Sequence, residues 1–137
     1  MNVDLESILN EILTEADPHI EHNETVSQIE HVFRKHGFYT TREYPIYKIK
    51  DGSGRAGRID LVARKGKFRV AVEYDHHALI KWKSFQKIVQ IKPDVAIAIS
   101  GLGDLKSNTG RAEKYCENGL LLYVLSLRRK LWIRILM

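Results

Sequence analysis

The sequence contains little cysteine, proline or glycine: one Cys, three Pro and nine Gly among 137 residues. The single cysteine, Cys116, excludes an intrachain disulfide and a zinc site made of cysteines alone. Because 44% of the residues are hydrophobic, the composition also excludes a disordered tail, a collagen-like fibre and a low-complexity linker. We therefore expect a chain that folds around a hydrophobic core.

Long apolar runs are also missing from the sequence. No stretch approaches the ~20 residues that a membrane-spanning helix needs. The first residues, MNVDLESILNEIL, lack the basic-then-apolar pattern of a signal peptide. We therefore expect a cytoplasmic protein without a membrane partner, and the length predicts a single domain over residues 1–137.

Acidic residues are fewer than basic ones, 17 against 22, which gives a formal net charge of +5. An excess of positive charge favours a polyanionic partner, with nucleic acid ahead of membrane surfaces. The positions of the acidic residues within this basic chain are therefore informative.

The hydrophobic pattern predicts an α/β fold. Apolar residues recur at helical spacing over 1–15 and 23–36, and the pattern then changes to strands separated by helices. The later elements are predicted as strands at 39–49, 58–64 and 68–75, a helix at 78–90, a strand at 94–100, a helix at 108–118, and strands at 120–125 and 130–136. This order, α-α-β-β-β-α-β-α-β-β, implies a mixed central sheet with helices on both faces. The last segment, LWIRILM, is typical of an edge strand through which two copies can pair as a homodimer.

Acidic side chains lie on two neighbouring predicted strands. Asp60 lies in RIDLVAR, and Glu73 and Asp75 end FRVAVEYD, where strand alternation places both on one face. If these strands form a hairpin, Asp60 lies beside Glu73 and two or three carboxylates converge. Converging carboxylates repel each other, and a divalent cation with a preference for oxygen ligands, Mg²⁺ or Mn²⁺, relieves that repulsion. The alternative is that these acids simply end a strand in solvent.

Basic residues near these acids are candidates for contacts with DNA. The Gly-rich segment KDGSGRAGR carries Arg55 and Arg58, which are the best candidates for binding phosphate because glycine allows close approach. Lys83, His77 and Arg111 are further candidates for nucleic-acid contacts. For each of these residues the alternative is an ordinary solvated, turn or capping side chain.

The segments GRIDLVA and VAVEYD, whose Asp60 and Glu73 are thirteen positions apart, resemble the PD-(D/E)XK nuclease superfamily. The Gly37-Phe38 pair and the α-β-β-β-α-β order resemble its archaeal Holliday-junction resolvase branch and related restriction-endonuclease-like proteins. The resemblance covers roughly residues 22–125, with 1–20 as an N-terminal helical extension. It implies a restriction-endonuclease-like fold and a metal-dependent endonuclease that hydrolyses DNA phosphodiester bonds, with selectivity for DNA structure as one form of that activity.

The resemblance also implies roles for individual residues. Asp60 corresponds to the motif aspartate and Glu73 to the motif acid, and both would bind the metal together with the backbone carbonyl of Tyr74. A glutamate of the preceding helix often completes such sites, and the candidates here are Glu24 first and Glu30 second. His22, close to Glu24, is expected to face solvent or to lie beside the N-terminus of the helix.

The chain departs from the family pattern at Asp75, which stands where the motif has a lysine. An acid cannot replace an ammonium that orients the attacking water and offsets charge in the transition state. The lysine is then expected from the following helix, with Asp75 acting as an extra metal ligand or a water-positioning base.

Lys81 and Lys87 are the two candidates for the displaced lysine. On a helix over 78–90, Lys81 falls near the apolar face that points at the sheet, whereas Lys87 shares a flank with Ser84. The Ser84–Lys87 spacing also resembles a helical pattern in some relatives. Lys83 points away from the apolar face of the same helix, which favours a phosphate contact or a solvated side chain.

Two other functions remain compatible with the sequence. One is a non-catalytic nucleic-acid-binding module on the same fold, in which the lysine has been lost. The other is a structural subunit whose basic surface meets an acidic protein. A nuclease should bind a divalent metal ion, whereas the non-catalytic module should not. The structural subunit should show no binding to DNA at any salt concentration.

Overall fold

The computed structural model describes residues 3–48, 55–116 and 119–136. Within these ranges the helices are α1 (Leu5–Glu15), α2 (His22–Lys35), α3 (Trp82–Gln90) and α4 (Leu105–Tyr115). The strands are β1 (Tyr39–Ile46), β2 (Gly57–Lys65), β3 (Phe68–Asp75), β4 (Val95–Ser100), β5 (Leu121–Ser126) and β6 (Leu131–Leu136). The element order predicted from the sequence is confirmed, as is the mixed α/β class.

The six described strands form one sheet in the order β1-β2-β3-β4-β5-β6. β1, β2 and β3 are antiparallel neighbours, and a tight turn in which Gly66 adopts a φ of 61° joins the last two. β3 and β4 pair in parallel because α3 crosses between them, and β4 and β5 do so because α4 crosses between them. β6 returns antiparallel to β5, so the sheet is mixed.

Helices cover both faces of the sheet. α1 and α2 pack on one face through side chains such as Ile12 and Phe33, and α3 and α4 pack on the other through Phe85 and Ala112. Every residue of β4 is buried, which agrees with its almost continuous apolar sequence and its position inside the sheet. The amphipathic period of each helix therefore determines which face of the sheet it covers.

α3 begins at Trp82, later than the predicted start at Ala78. Side chains of α4 bind the backbone just before Trp82 in a non-helical conformation. Asn108 Oδ1 accepts a hydrogen bond from the Ile80 amide at 2.7 Å, and Arg111 Nε donates to the Ile80 carbonyl at 2.7 Å. These partners are distant in sequence, so the local spacing of apolar residues does not predict where the helix starts.

α4 begins at Leu105, earlier than the predicted 108–118. Asp104 caps this helix by accepting a hydrogen bond from the Ser107 amide at 3.0 Å. Part of the predicted Gly-rich loop over 50–58 lies outside the described residues, which resume at Arg55.

β1 and β6 are the two edges of the sheet. β6 exposes three large apolar side chains, Leu131, Ile133 and Leu136. Among the described residues, no helix combines the length and the hydrophobicity that crossing a membrane requires.

Candidate functional site

The candidate site lies where β2 and β3 separate, near the carboxyl end of β3. The regular pairing of these strands reaches Leu61 and Val72, and side chains continue it. The Asp60 amide donates to Glu73 Oε2 at 2.7 Å, and the Tyr74 amide donates to Asp60 Oδ2 at 2.8 Å. The structure therefore brings the two carboxylates together across the predicted hairpin.

Glu73 is the most enclosed acid of this site, with only 2% of its surface exposed. Lys87 Nζ on α3 lies 2.5 Å from Glu73 Oε1 and donates to the Arg58 carbonyl at 2.8 Å. Burial, followed by the charge of Asp60, raises the pKa of Glu73 to about 8, although Lys87 acts in the opposite direction. The Lys87 ammonium is thus the main group that stabilises an ionised carboxylate at this depth.

His22, the first residue of α2, reaches the same site. Its Nε2 lies 2.8 Å from the Tyr74 carbonyl oxygen and 3.5 Å from Asp60 Oδ2. The hydrogen bond with Asp60 raises the pKa of His22 to about 9, against the lowering effect of partial burial. At neutral pH the ring is therefore an imidazolium whose Nε2–H points towards these oxygens.

Asp60 responds to the same contacts. Burial alone would raise its pKa, but hydrogen bonds from His22 and from the Tyr74 amide hold the pKa of this carboxyl below its ordinary value. His22, Asp60, Glu73 and Lys87 together are called the acid–base quartet below. Each acid of the quartet has a base beside it, His22 beside Asp60 and Lys87 beside Glu73, which offsets the cost of placing four ionisable groups in a partly buried site.

Asp75, the last residue of β3, is buried. Its carboxylate contacts the start of α3 and is not part of the acid–base quartet. Its Oδ2 accepts a hydrogen bond from the Lys81 amide at 3.0 Å and from Ser84 Oγ at 2.8 Å. These contacts satisfy donors in the first turn of a helix that has no capping hydrogen bond from its own N-cap side chain. Asp75 thus fixes the helix that carries Lys87.

The three candidate lysines occupy different positions. Lys87 is the one whose ammonium contacts Glu73 and so belongs to the acid–base quartet. The predicted placement of Lys81 on the helix face towards the sheet is wrong, because α3 starts after it and its side chain is exposed. Lys83, in the first turn of α3, is exposed.

The two glutamates considered on α2 do not contact the acid–base quartet. Glu24 is exposed in the first turn of the helix. Glu30 binds Arg34 at 3.3 Å, approaches Arg42 at 3.7 Å and accepts a hydrogen bond from Thr40. His22 is the residue that α2 brings to the site. Its position at the start of the helix, with 42% of the side chain exposed, agrees with the sequence expectation. The contacts with Asp60 and Tyr74 were not predicted, because these partners lie 38 and 52 positions further along the chain.

Most of the predicted DNA-contacting residues lie near the same end of the sheet. Arg55 precedes β2, and the exposed Arg58 forms an ion pair with Glu43 at 3.0 Å. His77 is exposed just after β3. Arg111 differs from these, because it is half-buried and its Nε is bound to the backbone in front of α3.

The donors at the site suit a hard divalent cation. Asp60, Glu73 and the Tyr74 carbonyl supply oxygen atoms, which Mg²⁺ and Mn²⁺ prefer, and the His22 imidazolium already lies against two of those oxygens. Over residues 3–48, 55–116 and 119–136, however, no group of three or more His, Cys, Asp or Glu side chains is arranged to hold a metal ion. Two carboxylates and a carbonyl therefore form the protein's share of such a site, and water would supply the remaining ligands.

No family model and no curated protein matches this chain. Among solved structures, the fold is similar to that of a crystal structure described as a protein of unknown function, AF1548, with a TM-score of 0.49 and 13% sequence identity. The alignment covers 73% of this chain and 56% of the other, so this chain spans little more than half of that protein.

Proposed function

We propose that this protein is a metal-dependent endonuclease of the PD-(D/E)XK type that hydrolyses DNA phosphodiester bonds. The observation that carries the proposal is the contact of Lys87 with Glu73. Asp75 replaces the lysine of the strand motif, and α3 brings an ammonium to the second motif acid from another direction. A PD-(D/E)XK site needs two acids and a cationic side chain, and in this chain Glu73 contacts both Lys87 and Asp60.

Asp60, Glu73 and the Tyr74 carbonyl would hold Mg²⁺ or Mn²⁺. When bound, such a cation lowers the pKa of a water molecule and offsets negative charge on a phosphate oxygen. Lys87 favours the ionised form of Glu73 and adds positive charge where the reacting phosphate gains negative charge. His22 holds a proton at Nε2 beside Asp60, from which a leaving oxygen within reach can take it.

The charge of the molecule supports DNA as the substrate. A net charge of +5 attracts a polyanion, although the reacting groups themselves include two acids. Four basic or titratable side chains are exposed around the ends of the elements that form the acid–base quartet, where the phosphates of a bound strand would lie: Arg55, Arg58, Lys83 and His77.

The test is cleavage of labelled duplex, flap, four-way junction and single-stranded DNA in the presence of Mg²⁺ or Mn²⁺. Asp60→Asn and Glu73→Gln are expected to reduce cleavage at least about 100-fold, because each removes an anionic ligand. Glu113→Gln, at an exposed position on α4, is the matched control and should cleave like the wild type. Intact substrates with both metals, or full activity in Asp60→Asn, would overturn the proposal.

A non-catalytic nucleic-acid-binding module is the second candidate function. It is favoured by the internal hydrogen bonds of Asp60 and Glu73, which take two backbone amides and the Lys87 ammonium as partners. A purely structural bridge between diverging strands would show the same contacts. Calorimetric titration with Mn²⁺ separates the two candidates. A nuclease should have a sub-millimolar metal site that Asp60→Asn abolishes, whereas a non-catalytic module should bind DNA and have no such site.

A further inference from the structure

A second feature of the molecule is an open groove between β1, β2 and β3, on the face that also carries α3. The groove has a volume of about 310 Å³ and is lined by two tyrosines, two arginines, a threonine and a valine: Tyr39, Tyr44, Arg64, Arg69, Thr41 and Val62. Tyr39 lies opposite Arg64 in the β1–β2 pair, and Arg64 lies opposite Arg69 in the β2–β3 pair. Neighbouring strands thus place aromatic and cationic side chains in one row. We call this feature the Tyr–Arg groove.

The Tyr–Arg groove is cationic. Arg64 is exposed and makes no ion pair with any residue in the described part of the chain. The Arg69 guanidinium donates to the backbone carbonyls of Ile91 and Lys92, which are neutral acceptors, while the Asp94 carboxylate accepts from the Arg69 backbone amide at 2.8 Å. None of the described residues that line the groove is acidic. The groove is therefore suited to an anionic ligand.

The tyrosines give the Tyr–Arg groove flat apolar surfaces. Tyr39 is 75% exposed, so its ring is open to a ligand. Tyr44 is partly buried against a small cluster formed by Ile46, Ile59 and Val62, which fixes its position. Exposed aromatic rings beside arginines are the combination on which proteins stack the bases of single-stranded nucleic acids, because every base has a π-face. Bases inside a duplex stack on each other and do not offer that face.

The Tyr–Arg groove lies near the acid–base quartet. Arg69, Ala71 and Glu73 alternate along β3, so Arg69 of the groove and Glu73 of the acid–base quartet lie on the same face of the sheet, the one that α3 covers. Four residue steps of β3 separate Arg69 from Glu73, which corresponds to about 13 Å. That distance equals about four base steps of a nucleic-acid strand. One bound strand can therefore extend from the acid–base quartet to the groove.

We propose that the Tyr–Arg groove binds an unpaired segment of DNA, with bases stacked on Tyr39 and Tyr44 and phosphates bound by Arg64 and Arg69. This inference rests on the proposed nuclease function and specifies its substrate class. The substrate is DNA that carries single-stranded nucleotides beside the phosphate that is cut. A fully paired duplex lacks the bases that the tyrosines would hold.

The proposal is tested by fluorescence anisotropy of a labelled twenty-nucleotide oligo-dT and of a duplex of equal length, both with EDTA so that nothing is cleaved. Wild-type protein is expected to bind the single strand more tightly than the duplex. Tyr39→Ala should weaken single-strand binding about 10-fold, whereas Tyr39→Phe retains the ring and should bind like the wild type. Because Tyr39 is exposed, neither change disturbs the core.

The charge of the groove is tested with Arg64→Gln, which should weaken binding and flatten its dependence on salt. Arg134→Gln is the matched control, since Arg134 is exposed on β6 at the opposite edge of the sheet. Equal binding by Tyr39→Ala and the wild type would overturn the proposal. A second result would also overturn it: sedimentation shows that the wild type is a dimer, and Tyr39→Ala abolishes the dimer without changing DNA binding. The groove would then be a contact between two copies of the chain.

The same variants separate this inference from the proposed function. If the protein cleaves DNA but Tyr39→Ala does not change DNA binding, the proposed role of the groove is wrong and the proposed nuclease activity is supported. If binding depends on Tyr39 but no DNA is cleaved under any condition, the proposed nuclease activity is wrong and the proposed role of the groove is supported.

Discussion

At the scale of single residues, the site depends on two acids, the buried Glu73 and the partly exposed Asp60, each of which has a base beside it. Glu73 is enclosed next to Asp60, and Lys87 lies 2.5 Å from it. His22 plays the corresponding role for Asp60. Each base lies on a helix, so the charge balance of the acid–base quartet depends on the packing of α2 and α3 against the ends of β2 and β3.

This arrangement predicts how stability depends on pH in the absence of metal. Glu73 keeps its proton up to a pKa of about 8 when folded, so the folded state binds more protons than the unfolded state from about pH 4.5 to 8. His22, with a raised pKa of about 9, extends the same effect from pH 6.5 to 9. We therefore expect the free energy of unfolding to fall from pH 5 to pH 9, measured by urea denaturation.

Glu73→Gln removes the first of these contributions, so its stability should fall less steeply between pH 5 and pH 8 than that of the wild type. Glu113→Gln is exposed on α4 and should follow the wild-type curve. Stability that rises across this range, or parallel curves for Glu73→Gln and the wild type, would contradict the assigned environment of Glu73.

At the scale of elements, the start of α3 is the feature on which the site depends most. The helix begins without a capping hydrogen bond from its N-cap side chain, and Asp75 supplies the acceptor from the end of β3. The segment in front of the helix is bound by Asn108 and Arg111 from α4. The position of Lys87 is thus determined by contacts from both β3 and α4.

Replacing Asp75 tests this dependence. Asp75→Ala leaves the Lys81 amide and Ser84 Oγ without their acceptor in a buried place, and should lower the free energy of unfolding by about 2–3 kcal/mol. Asp104→Ala removes the exposed cap of α4 and should lower it by about 1 kcal/mol. Chemical denaturation measures both, and an equal or smaller loss in Asp75→Ala would argue against a capping role.

Gly110 allows a second test at the scale of an element. It lies inside α4, is exposed, and a side chain added there would meet no atom within 4 Å. Gly110→Ala should therefore raise the free energy of unfolding by about 0.5–1 kcal/mol. Gly37→Ala should do the opposite, since Gly37 has a φ of 85°. A thermal melt distinguishes the two, and destabilisation by Gly110→Ala would contradict the helical assignment.

At the scale of the whole molecule, local pattern predicted the fold better than the site. The alternation in β3 and the apolar run of β4 are local, so element order and the pairing of Asp60 with Glu73 followed from sequence. The start of α3 did not, since side chains of α4 determine it. The contact of His22 with Tyr74 joins positions far apart in the chain, and no local signal marks it. Lys87 was identified only as one of two candidates.

The central claim is that Lys87 supplies the ammonium that the strand motif lacks, and its most direct test is the rate of metal-dependent DNA cleavage by Lys87→Met. We expect a loss of at least about 100-fold relative to the wild type, because the positive charge near the reacting phosphate is removed while the length of the side chain is kept. Lys106→Met, at an exposed site on α4, is the control and should retain full activity. Cleavage by Lys87→Met at the wild-type rate would contradict the claim.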